Sequence, residues 1–352
     1  MKKKFLALMM SALMICATAC GSKTEKKDDA TKNVKSNEEV SGKVMIYTSM
    51  YEDIIANMKP ALQKKFPKCQ IEFFQGGTGT LQTKIAGEIE AGKLACDIVM
   101  VAEPSYAYEL KEKKILHKFD IENKDKMAFE YDKEGYWYPV RNLNMVLAYN
   151  PEKTKKEDIA QSYKEFAEKE SLTGKISMSD PLKSGTALAA IGALKDKYSD
   201  EYFKNLAKRK VAVEAGSVAL TKLETGEMDE LMILEESVLK KRQEEQSKLE
   251  VIYPKDGTIV IPSPIMIIDE KLTENKNTKA AEAISKWFLS EEGQAFIVKG
   301  WMHPVLKDYD NPPFDAIKTS EIVKNSMKID WTKLVKDRDS LRTMFTDTIG
   351  KK

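Results

Sequence analysis

The sequence predicts an α/β protein of two lobes joined by two extended crossing segments. Three observations carry this. Short apolar runs bounded by Gly, Ser and Thr turns alternate with stretches whose apolar residues recur at helical spacing, the rhythm of parallel strands covered by helices. The rhythm begins at Lys43 and starts again near Ile176. The chain has 352 residues, more than one ordinary core holds, which points to two domains.

Taken in order, Lys2-Lys3-Lys4 and the apolar Phe5 to Ile15 read as a secretory leader over residues 1–19. The apolar run is too short for a membrane span, which takes roughly 20 residues. Ala17-Thr18-Ala19-Cys20-Gly21 has the pattern of a bacterial lipobox, so Cys20 is the expected lipidation site and the membrane is reached through the lipid alone. Each buried methylene of an acyl chain contributes about 0.8 kcal/mol. The alternative is ordinary cleavage near Ala19 with Cys20 incidental. Residues 20–42 are rich in Lys, Asp, Glu, Ser, Thr and Asn; they cannot bury a core and read as a disordered tether.

From Lys43 the strands and helices follow. Val44 to Tyr47 is a buried strand, and Thr48-Ser49 offers a helix N-cap. Ile54, Ile55, Met58, Leu62 and Phe66 form one apolar stripe. Ile71 to Phe74 is the next strand, Gly76-Gly77-Thr78-Gly79-Thr80 a turn, and Leu81, Ile85 and Ile89 a helical face. Asp97 to Val101 is a third strand. Tyr138 to Val140 and Asn144 to Asn150 read as a crossing into a second lobe. There Ile176 to Met178, Val211 to Val213 and Leu231 to Leu234 are strands, with helices opening at Ser184 and Gly216-Ser217. Thr258 to Pro262 and Ile265 to Ile268 cross back. The expected boundaries are lobe 1 over 43–145 with 263–306, lobe 2 over 146–262, and a C-terminal helical tail over 307–352. Ala280 to Phe288 and Glu321 to Met327 exemplify its helical character and that of the region before it.

With these elements placed, the chain resembles a known family. Tyr47-Thr48-Ser49, Gly76 to Thr80, Asp97 to Met100, Thr173 to Ile176, Ser179 to Thr186, Gly216-Ser217 and Leu289 to Gln294 look, in this order and spacing, like the ferric-ion and phosphorylated-solute binding proteins of ABC importers. The similarity covers roughly residues 43 to 305. It implies the type II periplasmic-binding fold, a Venus-flytrap closure on a solute, and a permease with its ATPase as partners. It implies no catalysis and no cofactor.

The residues that would bind are read from the helix starts. In such α/β folds strand C-termini face the cleft, so the helix N-termini that follow point there too. Each offers unpaired N–H groups and a positive dipole end. Thr48 and Ser49, Gly77, Thr78 and Thr80, Ser184, Gly185 and Thr186, and Gly216 with Ser217 sit at four such starts. Several converging ends make an anion site, although each residue taken alone is also an ordinary cap. Iron-binding relatives carry an adjacent tyrosine pair after the last second-lobe strand. Here that place reads Glu235-Glu236-Ser237. This favours a small anionic organic solute, with a hexose phosphate, a phosphoglycerate or a phosphonate as examples. Glu235 or Glu236 would take its hydroxyl or amine end, unless the pair merely suits the helix dipole. Ferric iron, a polyamine or thiamine on the same scaffold is the alternative, and a secreted enzyme or adhesin a second. Arg141 either meets an anion or pairs with a structural carboxylate. Tyr47, Tyr106, Tyr149 and Trp137 either wall the cleft or pack in the core. His303 and His117 read as structural.

Charge and motifs exclude other classes. The chain has 57 Lys and Arg against 55 Asp and Glu, and loss of Lys2, Lys3 and Lys4 with the leader makes it near neutral, without the basic excess of a nucleic-acid binder. Two histidines and no Cys/His cluster argue against structural zinc, and no metal ligand set is assigned. Gly87 to Lys93 matches P-loop spacing, but Leu94 replaces the magnesium-binding Ser or Thr and the run lies late in a helix. Cys69 and Cys96 could form a disulfide in an exported protein or remain two reduced thiols. A monomer is expected.

Overall fold

The computed structural model describes residues 40–350. The leader, Cys20 and nearly all of the tether lie outside them. The element order is β1 (Gly42–Thr48), α1 (Glu52–Lys65), β2 (Cys69–Gln75), α2 (Thr78–Glu90), β3 (Ile98–Met100), α3 (Ser105–Glu112) and β4 (Leu116–His117). Then come β5 (Trp137–Tyr149), α4 (Tyr163–Glu168), β6 (Ile176–Ser179), α5 (Gly185–Lys208), β7 (Ala212–Glu214), α6 (Gly216–Thr225), β8 (Glu230–Leu234), α7 (Glu235–Glu245) and β9 (Glu250–Ile252). The chain returns through β10 (Thr258–Ile268) to α8 (Thr278–Phe288), α9 (Glu291–Lys299), α10 (Thr319–Lys324), β11 (Ser326–Met327) and α11 (Trp331–Phe345), closing on a π-helical turn, Thr346–Gly350.

One sheet path runs β2-β1-β3-β10-β5-β8-β6-β7. The two flanks are parallel, β2-β1-β3 and β8-β6-β7, as the alternating rhythm predicts. The centre is not: β10 runs antiparallel to β3 and β5, and β5 antiparallel to β8. An all-parallel sheet is therefore corrected to a mixed one. Strands that merely cross over leave no periodic trace of direction, because β5 and β10 are buried along their whole length. Each is one continuous strand where the sequence suggests two pieces. The expected domain boundaries fall inside these two strands, and the described residues fall in one compact unit.

Prolines inside a central strand need an irregularity. Here Pro139 faces Pro264, and the register shifts between Ser263 and Pro264. This bulge sets Arg141 opposite Ser263.

Four local expectations are revised. β1 starts at Gly42, whose N–H bonds Lys68 O at 3.1 Å, so the tether ends earlier than residue 42. Thr48 and Ser49 do not cap α1; the cap position is Tyr51, without a side-chain bond. Thr48 Oγ1 instead accepts from Met50 N at 3.1 Å. The helix expected over Glu321 to Met327 stops at Lys324, and Ser326 and Met327 pair with β10. The C-terminal segment is not an appendage: α11 packs on α3 and α5, with Leu334, Leu341, Phe345 and Ile349 buried in the main core. Cys69 and Cys96 are buried and unbonded.

Candidate ligand-binding site

A cavity of about 340 Å³ opens where the two parallel flanks meet the central strands. It is built from helix starts. Gly77 and Thr78 begin α2, Ser184, Gly185 and Thr186 begin α5, Ala215 and Gly216 begin α6, and Leu234, Glu236 and Ser237 begin α7; all of these line it. The starts of α2, α6 and α7 have no side-chain cap, so their first N–H groups remain available. At α5, Ser184 Oγ accepts from Ala187 N at 3.2 Å and lies 3.0 Å from Thr186 Oγ1.

The two flanks touch at this point. A Cβ on Gly185 would lie 2.9 Å from Thr78 Oγ1, and one on Gly79 would lie 3.5 Å from Leu182 O and Lys183 O. Glycine at 185 lets the N-terminus of α5 approach that of α2. Further out, Tyr51 Oη is 3.4 Å from Ser237 Oγ, and Asp53 of α1 pairs with Lys240 of α7.

Arg141 supplies the charge. It is 1% exposed and lines the cavity from β5. Its Nε donates to Ser263 Oγ at 3.1 Å, Nη2 to Ser49 Oγ at 2.9 Å, and Nη1 meets Met302 Sδ at 3.1 Å. Ser263 Oγ in turn donates to Val101 O. None of these partners is an acid, and a guanidinium has donors to spare. Burial pulls its pKa below the ordinary arginine value, and the carboxylate of Glu236 opposes this. Of the two readings left open by the sequence, the pairing with a structural carboxylate is not what forms.

The adjacent acids separate sharply. Successive residues of a helix point about 100° apart. Glu235 points to the crossing strands: its Oε2 accepts from Asn144 Nδ2 at 2.7 Å and His303 Nε2 at 2.9 Å, and its Oε1 from Tyr253 Oη. His303 Nδ1 lies 3.0 Å from Thr319 Oγ1. Glu235 thus ties β5, α7 and α10 together away from the cavity. Glu236 lines the cavity, and its buried Oε2 has no hydrogen-bond partner. Burial raises its pKa to about 7; Arg141 pulls it down, while Glu235 and Asp53 push it up.

The cavity therefore gathers Ser49, Gly77, Thr78, Ser184, Gly185, Thr186, Gly216 and Glu236. It does not gather Thr48, Ser217 or Glu235. Thr80 lies in a neighbouring groove with Lys84, Tyr106 and Arg338. Tyr47, Tyr149 and Trp137 are core residues. Sequence reasoning passed over Tyr51, Asp180, Lys183 and Glu214, which also line the cavity. Asp180 and Lys183 were visible within the Ser179 to Thr186 run; nothing in the sequence singled out Tyr51. Among the described residues no group of three His, Cys, Asp or Glu side chains is set to hold a metal.

The model of the family described as bacterial extracellular solute-binding protein matches residues 57–324. No curated protein sequence matches the chain. Among solved structures it is similar to the periplasmic binding protein AfuA of Actinobacillus pleuropneumoniae with exogenous fructose-6-phosphate bound. The TM-score is 0.75 at 21% identity, covering 88% of this chain and 99% of that one. It is also similar to iron-bound HitA of Pseudomonas aeruginosa (0.73, 19%, covering 86% and 98%) and to a periplasmic thiamin binding protein (0.71, 16%, covering 87% and 96%). These likenesses establish a fold, that of the type II periplasmic binding proteins.

Proposed function

We propose, for a chain that belongs to the bacterial extracellular solute-binding protein family, that it captures a small anionic, phosphorylated organic solute and delivers it to an ABC permease and its ATPase. One observation carries the anion reading. Arg141 is buried at the meeting of four helix starts and hydrogen-bonds to no acid. A buried cation with no hydrogen-bonded anion is costly, and the helix N-termini around it add to the positive potential. A phosphate resolves both, because it accepts from the guanidinium and from the free N–H groups. The cavity volume suits a solute of hexose-phosphate size or smaller. The contact of α2 with α5 supports closure over the solute, each parallel flank acting as one lobe. Acylation at Cys20 would hold the protein at the membrane that carries the permease. Among the described residues no helix is long and apolar enough to cross a membrane.

The test is a thermal-shift screen with hexose phosphates, phosphoglycerates, phosphonates, inorganic phosphate, ferric citrate, thiamine and spermidine. A ligand at a hundred times its Kd stabilises by about 2.7 kcal/mol. A shift with a phosphorylated solute that its dephosphorylated form does not give supports the proposal. A shift with ferric citrate alone replaces it by metal binding.

A further inference from the structure

We infer that Glu236 selects the solute by accepting a hydrogen bond from an ammonium group, so that the cargo is a zwitterion with a phosphate or phosphonate at one end and an amine at the other. This rests on the anion reading above and narrows it.

The charges that line the cavity lead there. Two are cationic, Arg141 and Lys183, and three are acidic, Asp180, Glu214 and Glu236. Asp180 and Lys183 face each other at 3.8 Å, and Glu214 is paired with Lys222 at 2.5 Å. What remains is one cation and one anion that hydrogen-bond to no oppositely charged side chain, Arg141 and Glu236. A pure polyanion satisfies the first and leaves the second worse off, because it brings negative charge to a carboxylate already stripped of water.

The orphaned oxygen gives the direction. Glu236 Oε2 is buried without a donor, whereas the neighbouring Glu235 receives three. An unsatisfied buried acceptor is expensive, and the donor it lacks has to come from whatever fills the cavity. The side chains around it offer none. Ser237 Oγ faces Tyr51 Oη, Arg141 bonds to Ser263, Ser49 and Met302 and not to Glu236, and Asp53 is held by Lys240. A ligand hydroxyl supplies a donor alone. An ammonium supplies a donor and the opposite charge, and charge-assisted bonds are roughly twice as strong.

Calorimetric titration of the purified protein at pH 8 with 2-aminoethylphosphonate, 2-hydroxyethylphosphonate and propylphosphonate tests this. The three share the anion and differ at one terminal group. The amine is expected to bind about 30-fold more tightly than the propyl compound, and Glu236→Gln should erase that ratio by weakening the amine and tightening propylphosphonate. Glu236→Met, whose unbranched side chain fills the same space without an acceptor, gives the same reading if the glutamine variant misfolds. Hydroxyethylphosphonate binding as tightly as the amine, or a ratio that survives both substitutions, overturns the inference and leaves the anion reading intact. Binding of none of the three overturns the inference, and the thermal-shift screen then decides the anion reading.

Discussion

Arg141 and the two adjacent glutamates show how one-residue differences in placement set roles. Replacing Arg141 by Ala removes the buried charged donor of the cavity. Affinity for the phosphorylated ligand found in the screen should fall about 100-fold, from the 1.5–3 kcal/mol typical of bonds to charged groups; unchanged affinity in a calorimetric titration would show that the anion sits elsewhere. Glu235→Ala leaves Asn144, Tyr253 and His303 without their acceptor in a dry interior. It should destabilise the fold by about 3 kcal/mol in urea unfolding. Glu236 is predicted to act on stability through pH. Its folded pKa, about 7, stands above the ordinary 4.5, so the folded state holds a proton that the unfolded chain releases. Stability is then lost as pH rises from about 4.5 to about 7 and is level beyond. Relative to Glu236→Gln, the wild type should lose about 3 kcal/mol across that window. The groups facing Glu236 are Arg141, Tyr51, Asp53 and Glu235. A pH-independent difference in chemical denaturation would refute this. The sequence placed Glu235 and Glu236 as equals, because adjacency is visible in a string while the helical rotation that separates them depends on where α7 begins. Arg141 was equally ambiguous: whether a buried cation meets an acid is decided by strands distant in sequence.

At the scale of elements, apolar runs and their bounding turns were enough to locate β1, β2, β3, β6, β7 and β8 within a few residues, since each is a short run with an apolar centre that a helix follows. Capping was less legible. Ser184 is a true N-cap, but Thr48 and Ser49 precede the helix by three residues or more, their hydroxyls being taken by Met50 N and Arg141. Gly185 was read as a helix-start residue facing the solute. Gly185 has a more specific role, because its missing Cβ is the space occupied by Thr78. Gly185→Val should therefore hold α2 and α5 apart. Ligand affinity should fall at least about tenfold, while the unliganded protein, relieved of a helical glycine, melts within a few degrees of wild type. A variant that binds normally would mean that the two helix starts need not meet.

For the whole molecule, the segment beyond residue 306 was the least readable part, since short helices with loops between them show weak periodicity. It nevertheless completes the core. Leu334 would collide with any side chain at Gly192 of α5, Phe345 meets Phe203 edge-on with ring centroids 6.4 Å apart, and Arg338 reaches Glu109 of α3 at 2.6 Å. Ending the chain after Lys328 should cost at least about 5 kcal/mol, from five large buried apolar side chains removed, with new binding of a hydrophobic dye to the exposed face of α5. A truncated chain that melts like the full one would assign α11 a purely peripheral place.

The sheet order also bears on how such a chain is made. β10 lies between β3 and β5, so the first three strands have no neighbour on their inner edge until residues 258–268 have emerged. α5 likewise waits for α11. Contacts between segments so far apart in sequence form slowly. Such a polypeptide cannot assemble its centre until most of its length has been synthesised, so its early strands stay open longer than those of a chain whose neighbours in sequence are neighbours in the sheet.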